Sequence, residues 1–401
     1  MLEFRQKYTD KNIKRDDVMT AGNKYPLIFV HGMFGWGEAI GIDRVAPYWG
    51  ATTGNLMEFL NMCRFESYSA SVGPVSSAWD NACELYAQLT GTRVDYGEAH
   101  SKAHGHERFG RTYKKPLCEG FGKRKVHLIG HSHGGQVIRL LAHLLTYGDE
   151  REKADTAPDD ISPLFTGGKE DCIASITCIC TPNNGSTLYK IAEDYNLVHT
   201  LGRFTDFAMG LLGRTPLHGK WVDYQLEQFG LTPIKGEKEP DKLITAMNRI
   251  RDGEDYVLSD LSLKGAYELN ELIEISKDIY YFSYPANGCV GEKHSPKNMS
   301  FPLLQIFSNA LVGLELPESE FGITFDESWR DNDGLVNTVS ARHPFDEPAK
   351  DFDGNIQPGI WNVMPELTCD HGAAAGLLAN RKRIQAFYIN LARMLMKLET
   401  K

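Results

Sequence analysis

The chain lacks any apolar run near the roughly 18–20 residues that span a bilayer, so no transmembrane anchor is expected. Its opening stretch, MLEFRQKYTDKNIKRDD, lacks the apolar centre of a signal peptide, and none is expected there. Basic runs are short, none exceeding three residues as in Lys123-Arg124-Lys125, and 53 acidic against 43 basic side chains leave a formal net charge of −10. Such a chain is poorly matched to phosphate backbones or anionic lipid, so nucleic acid is not an expected partner. The eight cysteines form no Cys-x-x-Cys and no zinc-ribbon spacing. Cys178 and Cys180 alternate inside a strand-like run, and buried free thiols are expected. Internal repeats and low-complexity segments are also missing.

What is present is a 401-residue chain that is 42% hydrophobic, enough for a large core. Strand-like runs alternate with helix-periodic segments, the pattern of a mainly parallel sheet with helices on both faces. Pro26 to Val30, Lys125 to Ile129, Ile173 to Cys180 and Asp278 to Tyr284 read as strands. One domain over residues 1–401 is expected, with two insertions. Residues 74–112 join a helix-like piece to a His- and Gly-rich loop, and residues 187–250 have the length of a functional lid. Within the latter, Leu201, Phe204, Phe207, Met209, Leu211 and Leu212 would either face substrate or bury against the core.

Gly130-His131-Ser132-His133-Gly134-Gly135 matches Gly-x-Ser-x-Gly, a weak signal alone. Its setting strengthens it, because the strand KVHLI precedes and the helix-periodic QVIRLLAHLL follows, with Val137, Leu140, Leu141 and Leu144 on one stripe. A tight strand-to-helix turn lifts the serine hydroxyl toward a helix N-terminus that favours negative charge. This is the arrangement of an α/β-hydrolase fold, with Ser132 as nucleophile. The loop after the first strand, HGMFGWG, then supplies the other half of an oxyanion hole, so the backbone N–H groups of Met33 and His133 are the expected donors. Because that donor is backbone, the side chain at 133 is left free to vary. Phe34 and Trp36 would line the acyl side of the cleft or pack into the core.

In such folds the acid precedes the histidine along the chain. Asp370-His371-Gly372 precedes a C-terminal helix and makes His371 the expected base, with His343 as the alternative. Asp333, in Asn332-Asp333-Gly334, is the expected acid, with Asp331 and Asp326 nearby. The acid holds the imidazole's tautomer and stabilises the imidazolium. A zinc hydrolase and a non-catalytic binding protein on the same scaffold are the rival readings.

The segments HGMFGWG, SSAWDNACELYAQLTGTRVDYGEAHSKAHGHERFGRTY, HLIGHSHGGQ and DNDGLVNTVS resemble the zinc-containing bacterial lipases of the Geobacillus and Staphylococcus type, over roughly residues 24–395. The resemblance implies Ser132, Asp333 and His371 as triad, a helical lid, and a secreted, monomeric enzyme acting on hydrophobic esters at lipid–water or polymer interfaces. It also implies a structural zinc held by Asp80, His100, His106 and Asp260, a donor set suited to a closed tetrahedral site. His100 and His106, six apart with Gly105 between, are expected on a loop. Those lipases also carry calcium beside the catalytic histidine, but Gly372-Ala373-Ala374-Ala375 offers a hard cation no side-chain oxygen, so no calcium is expected there. His133 after the nucleophile is a second departure, and together they suggest similarity to the clostridial and Pelosinus lipases known for attacking polyesters.

Overall fold

Seven short strands form one sheet in the computed structural model of the chain, which describes residues 22–194, 223, 225–230 and 253–399. They are β1 (Leu27–Val30), β2 (Ser67–Ala70), β3 (Val126–His131), β4 (Ile173–Ile179), β5 (Tyr280–Tyr284), β6 (Ala349–Asp351) and β7 (Trp361–Val363). Their order across the sheet is β6-β7-β5-β4-β3-β1-β2, and every neighbouring pair is parallel. The fold is α/β-hydrolase-like, as the alternating pattern implied. β1, β3, β4 and β5 are the apolar runs read from sequence; β2, β6 and β7 are too short or too polar to stand out.

Parallel strands need crossover connections, and these bring helices onto both faces. Alternation along β1 divides the core, with Ile28 and Val30 in one cluster and Leu27 and Phe29 in the other. On the Leu27 side lie α1 (Leu56–Met62) and, at the end of the chain, the long helix Arg381–Met396, through Leu56, Leu60, Tyr388, Leu391 and Leu395. The opposite face is covered by α2 (Ala78–Thr90) through Leu85 and Leu89. The expected insertion then continues as a ribbon, Arg93–Asp95 paired with Phe109–Thr112, around α3 (Glu98–His104). α4 (His133–Tyr147) packs beside α2 through Val137, Leu141 and Leu144. α5 (Val257–Leu261) lies against α4, and α6 (His371–Ala374) precedes the Arg381–Met396 helix, α7.

Leu201, Phe204, Phe207, Met209, Leu211 and Leu212 lie outside the described residues. Among the described residues no helix is long and apolar enough to cross a membrane. All eight cysteines are free thiols, six of them buried.

The turn from β3 into α4 leaves no room for side chains. A Cβ on Gly134 would lie 2.3 Å from the Val30 carbonyl oxygen, and one on Gly130 would lie 2.4 Å from that of Gly134. Both obstacles are backbone and cannot rotate away. Gly134→Ala is therefore expected to cost about 1–3 kcal/mol through overpacking, read as a lower Tm; an unchanged melt would mean that β1 and α4 are not this close.

Candidate active site and metal centre

Ser132 alone makes the turn between β3 and α4. Its φ of 57° and ψ of −131° fall where an L-residue is strained, at about 1–3 kcal/mol. Two backbone bonds hold it there: its N–H donates to the Ile179 carbonyl at 2.9 Å, and its carbonyl accepts from Gly135 N–H at 3.0 Å. Gly32 approaches so closely that a Cβ on it would stand 2.7 Å from Ser132 Cβ and 3.2 Å from Oγ. The loop after β1 thus lies directly against the hydroxyl. Among the described residues the N–H groups of Met33 and His133 have no hydrogen-bond partner. The second opens α4, where the helix dipole favours negative charge.

His371 Nδ1 lies 2.8 Å from Asp333 Oδ2, and His371 N–H donates to the Asp333 carbonyl at 2.9 Å. The other carboxylate oxygen accepts from Leu335 N–H at 3.0 Å and Val336 N–H at 2.8 Å. Asp333 is thereby held by its own turn, and Nε2 is the nitrogen of His371 left facing away from it. The neighbouring carboxylates are engaged elsewhere: Asp331 pairs with His294 at 2.9 Å and Asp326 caps Ser328. His343 Nδ1 donates to the Pro344 carbonyl at 2.7 Å. Asp370 caps α6 by accepting from Ala373 N–H at 2.8 Å, while its other oxygen accepts from the Ser300 amide and hydroxyl.

Sequence reasoning missed the frame behind these residues. His131 Nε2 meets the His371 carbonyl oxygen at 3.0 Å and therefore donates to it. Its Nδ1 then accepts from the Tyr48 hydroxyl at 2.7 Å, which in turn accepts from Gly32 N–H at 3.1 Å. Burial drives the His131 pKa well below its ordinary value, keeping the ring neutral for these roles. Nothing in the spacing marks Tyr48, which is 83 residues from His131.

Among the described residues, two groups of side chains have the geometry to hold a metal ion: His131, Cys180 and His371, and Asp80, His100, His106 and Asp255. In the first, both His131 nitrogens are already used, Cys180 is a thiol whose pKa burial raises, and His371 Nδ1 faces Asp333. The second is different in kind. His100 Nε2 lies 3.3 Å from both Asp80 Oδ1 and Asp255 Oδ2, and His106 Nε2 lies 3.8 and 3.2 Å from the same atoms. All four atoms are buried without a hydrogen-bond partner. Burial opposes a charge on His100, yet the facing Asp255 and Asp80 carboxylates outweigh it and lift the pKa to about 9, so the pocket favours positive charge. The surrounding bonds aim the ligands: His106 Nδ1 donates to the Glu107 carbonyl, and Asp80 Oδ2 accepts from Gln228 at 2.8 Å.

Two expectations need correction here. Asp260 is not in the cluster; Asp255, five residues earlier and just before α5, takes that place, while Asp260 sits on α5 and bonds His133. Nor are both histidines on a loop. His100 lies on α3, stacked on Trp79 at 4.9 Å, and left-handed Gly105 ends that helix so that His106 turns back toward it.

Residues 23–401 match a family described as lipase-like, C-terminal domain. The lipase of Staphylococcus hyicus is 36% identical over 94% of this chain and 58% of its own length. EstA from Clostridium botulinum superposes with a TM-score of 0.82 at 35% identity, covering 95% of this chain and 89% of that one. Lipase 1 from Pelosinus fermentans gives 0.78 at 35% identity, covering 94% and 100%. The chain belongs to this lipase family. It spans little more than half the length of the curated staphylococcal relatives it matches.

Of the two aromatic residues expected beside the cleft, Phe34 is 43% exposed on the loop after β1 with a φ of 57°. Trp36 turns inward, its indole N–H on the Ala46 carbonyl at 2.8 Å and its ring edge-on to Tyr48. The core also buries neutral histidines besides His131. Burial lowers the pKa of His31 to about 4 and that of His127 to about 3. Below about pH 6.5 the unfolded chain binds protons that the folded chain refuses, so stability falls as pH drops toward 4, by up to about 1.4 kcal/mol per pH unit for each group. Denaturant unfolding at pH 7, 5.5 and 4.5 checks this; equal stabilities would contradict the buried neutral states.

Proposed function

We propose that the protein is a carboxylic ester hydrolase in which Ser132 is the nucleophile, His371 the base and Asp333 the orienting acid. The observation that carries this reading is a strained serine flanked by two backbone N–H groups without a partner among the described residues, next to His131, which bonds the carbonyl of the buried His371–Asp333 pair. Ser132 Oγ attacks the ester carbonyl carbon while His371 Nε2 takes its proton. The N–H groups of Met33 and His133 stabilise the oxyanion. Collapse of this adduct releases the alcohol with the proton from His371, leaving an acyl-enzyme, and His371 then deprotonates the water that hydrolyses it. Loss of one such oxyanion donor costs on the order of 10²–10³ in kcat.

Large hydrophobic esters, triacylglycerols among them, are the proposed substrates. Exposed Phe34, Phe301, Leu303, Leu377 and Leu378 support this, since they lie on the loop after β1, beside Ser300 and just after α6. An apolar rim of this kind suits a lipid or polymer surface. An ester profile from acetate to palmitate, with a polyester film and Ser132→Ala as blank, is expected to rise with chain length and to vanish in the variant. Activity confined to short soluble esters would make the protein a carboxylesterase. None above the blank would overturn the enzyme reading.

Zinc is the proposed occupant of the Asp80, His100, His106 and Asp255 cluster. Neutral imidazoles and carboxylates suit it, and four protein donors leave no position for a reacting water, so when bound it supplies a cross-link and no chemistry. Asp255→Ala is expected to lose bound metal and melt lower, and Asp260→Ala to retain the metal. Metal analysis with melting checks this; the opposite pattern would restore Asp260 as the ligand.

A further inference from the structure

The side chain after the nucleophile is tied down. His133 Nε2 lies 3.0 Å from Asp260 Oδ2, and that oxygen also accepts from Ala78 N–H, at the first position of α2, at 2.6 Å. The carbonyl of Asp260 accepts from Gln136 Nε2 at 2.9 Å. One residue of α5 therefore grips the first turn of α4 twice and the start of α2 once. His133 is 2% exposed, so the pair is shielded from solvent competition.

This arrangement bears on the oxyanion donor directly. The first N–H groups of a helix have no partner inside the helix, so its hydrogen-bond ladder does not hold them. A donor aimed at a developing oxyanion is worth most when it need not reorient during the reaction. We propose that Asp260 is a positioning residue which, through the His133 side chain, fixes the backbone N–H of His133 for the tetrahedral oxyanion; this rests on reading Ser132 as nucleophile and His133 N–H as donor. The Asp260 carboxylate itself points at the imidazole and at the α2 N-terminus, where the helix dipole favours its charge. Neighbouring acids on one segment then divide two tasks, Asp255 at the metal cluster and Asp260 at the oxyanion donor.

The test is a double-mutant cycle on a soluble short-chain ester, with metal content and Tm measured for every variant. His133→Leu and Asp260→Ala are each expected to lower kcat about 10-fold with KM within about twofold, a smaller loss than removing the donor outright. The double variant should be no slower than the slower single one, because both break the same link. His133→Gln, which keeps an N–H to offer Asp260, should recover most of the turnover lost in His133→Leu. Bound metal should match wild type throughout. Unchanged kcat in the single variants, losses that multiply in the double, or no rescue by glutamine would each overturn the proposal. Turnover surviving in Ser132→Ala would instead overturn the nucleophile assignment, and this proposal with it. If Asp260→Ala fails to fold, His133→Leu against His133→Gln carries the test alone.

Discussion

A single chain of hydrogen bonds sets the frame of the candidate site. It runs from Gly32 N–H to the Tyr48 hydroxyl, on to His131 Nδ1, and from His131 Nε2 to the His371 carbonyl. Its members come from the loop after β1, the segment before α1, the end of β3 and the start of α6. Each bond has a fixed direction, since the carbonyl only accepts and the backbone N–H only donates. The imidazole between them must be neutral, and burial keeps it so. Ser132, the next residue, can then hold its strained turn because both its flanks are anchored: His131 through this chain and Gly135 through Ser132's own carbonyl.

The cluster of Asp80, His100, His106 and Asp255 is a second anchor, working on a different part of the chain. Asp80 on α2 and the two histidines around α3 meet Asp255, which follows the long 187–250 segment. Residues 223 and 225–230 of that segment are drawn to the same place. Gln228 donates to Asp80, Glu107 N–H donates to the Gln228 carbonyl at 2.8 Å, and Arg111 pairs with Asp223 at 2.9 Å and with Glu227. Buried charges in such a network are costly unless matched, and the four facing atoms of the cluster share the lack of a hydrogen-bond partner with Arg111 Nε and Glu227 Oε2 beside them. Asp260 connects the two anchors, since Ala78 N–H opens the helix that carries Asp80 and His133 opens the helix behind the serine.

The sequence by itself determined the features that depend on neighbours in the chain. Apolar runs of four to seven residues specify buried parallel strands, and β1, β3, β4 and β5 were legible for that reason. Gly-x-Ser-x-Gly between a strand and an amphipathic helix specifies the strained turn, because only glycine permits backbones to approach as Gly134 and Val30 do. The Asn332-Asp333-Gly334 turn carries its own means of holding the carboxylate, in the N–H groups of Leu335 and Val336. Tertiary structure alone decided which distant partners meet. Asp255 and Asp260 are the same residue type five positions apart, and only the rotation between the loop and α5 sends one to the metal cluster and the other to His133. The same holds for Tyr48, whose hydroxyl reaches across 83 residues to His131. A hydrogen bond or ligand bond is specified by angstrom-scale position, whereas sequence patterns specify periodicity and local turn chemistry; position at that scale comes only from packing the whole core.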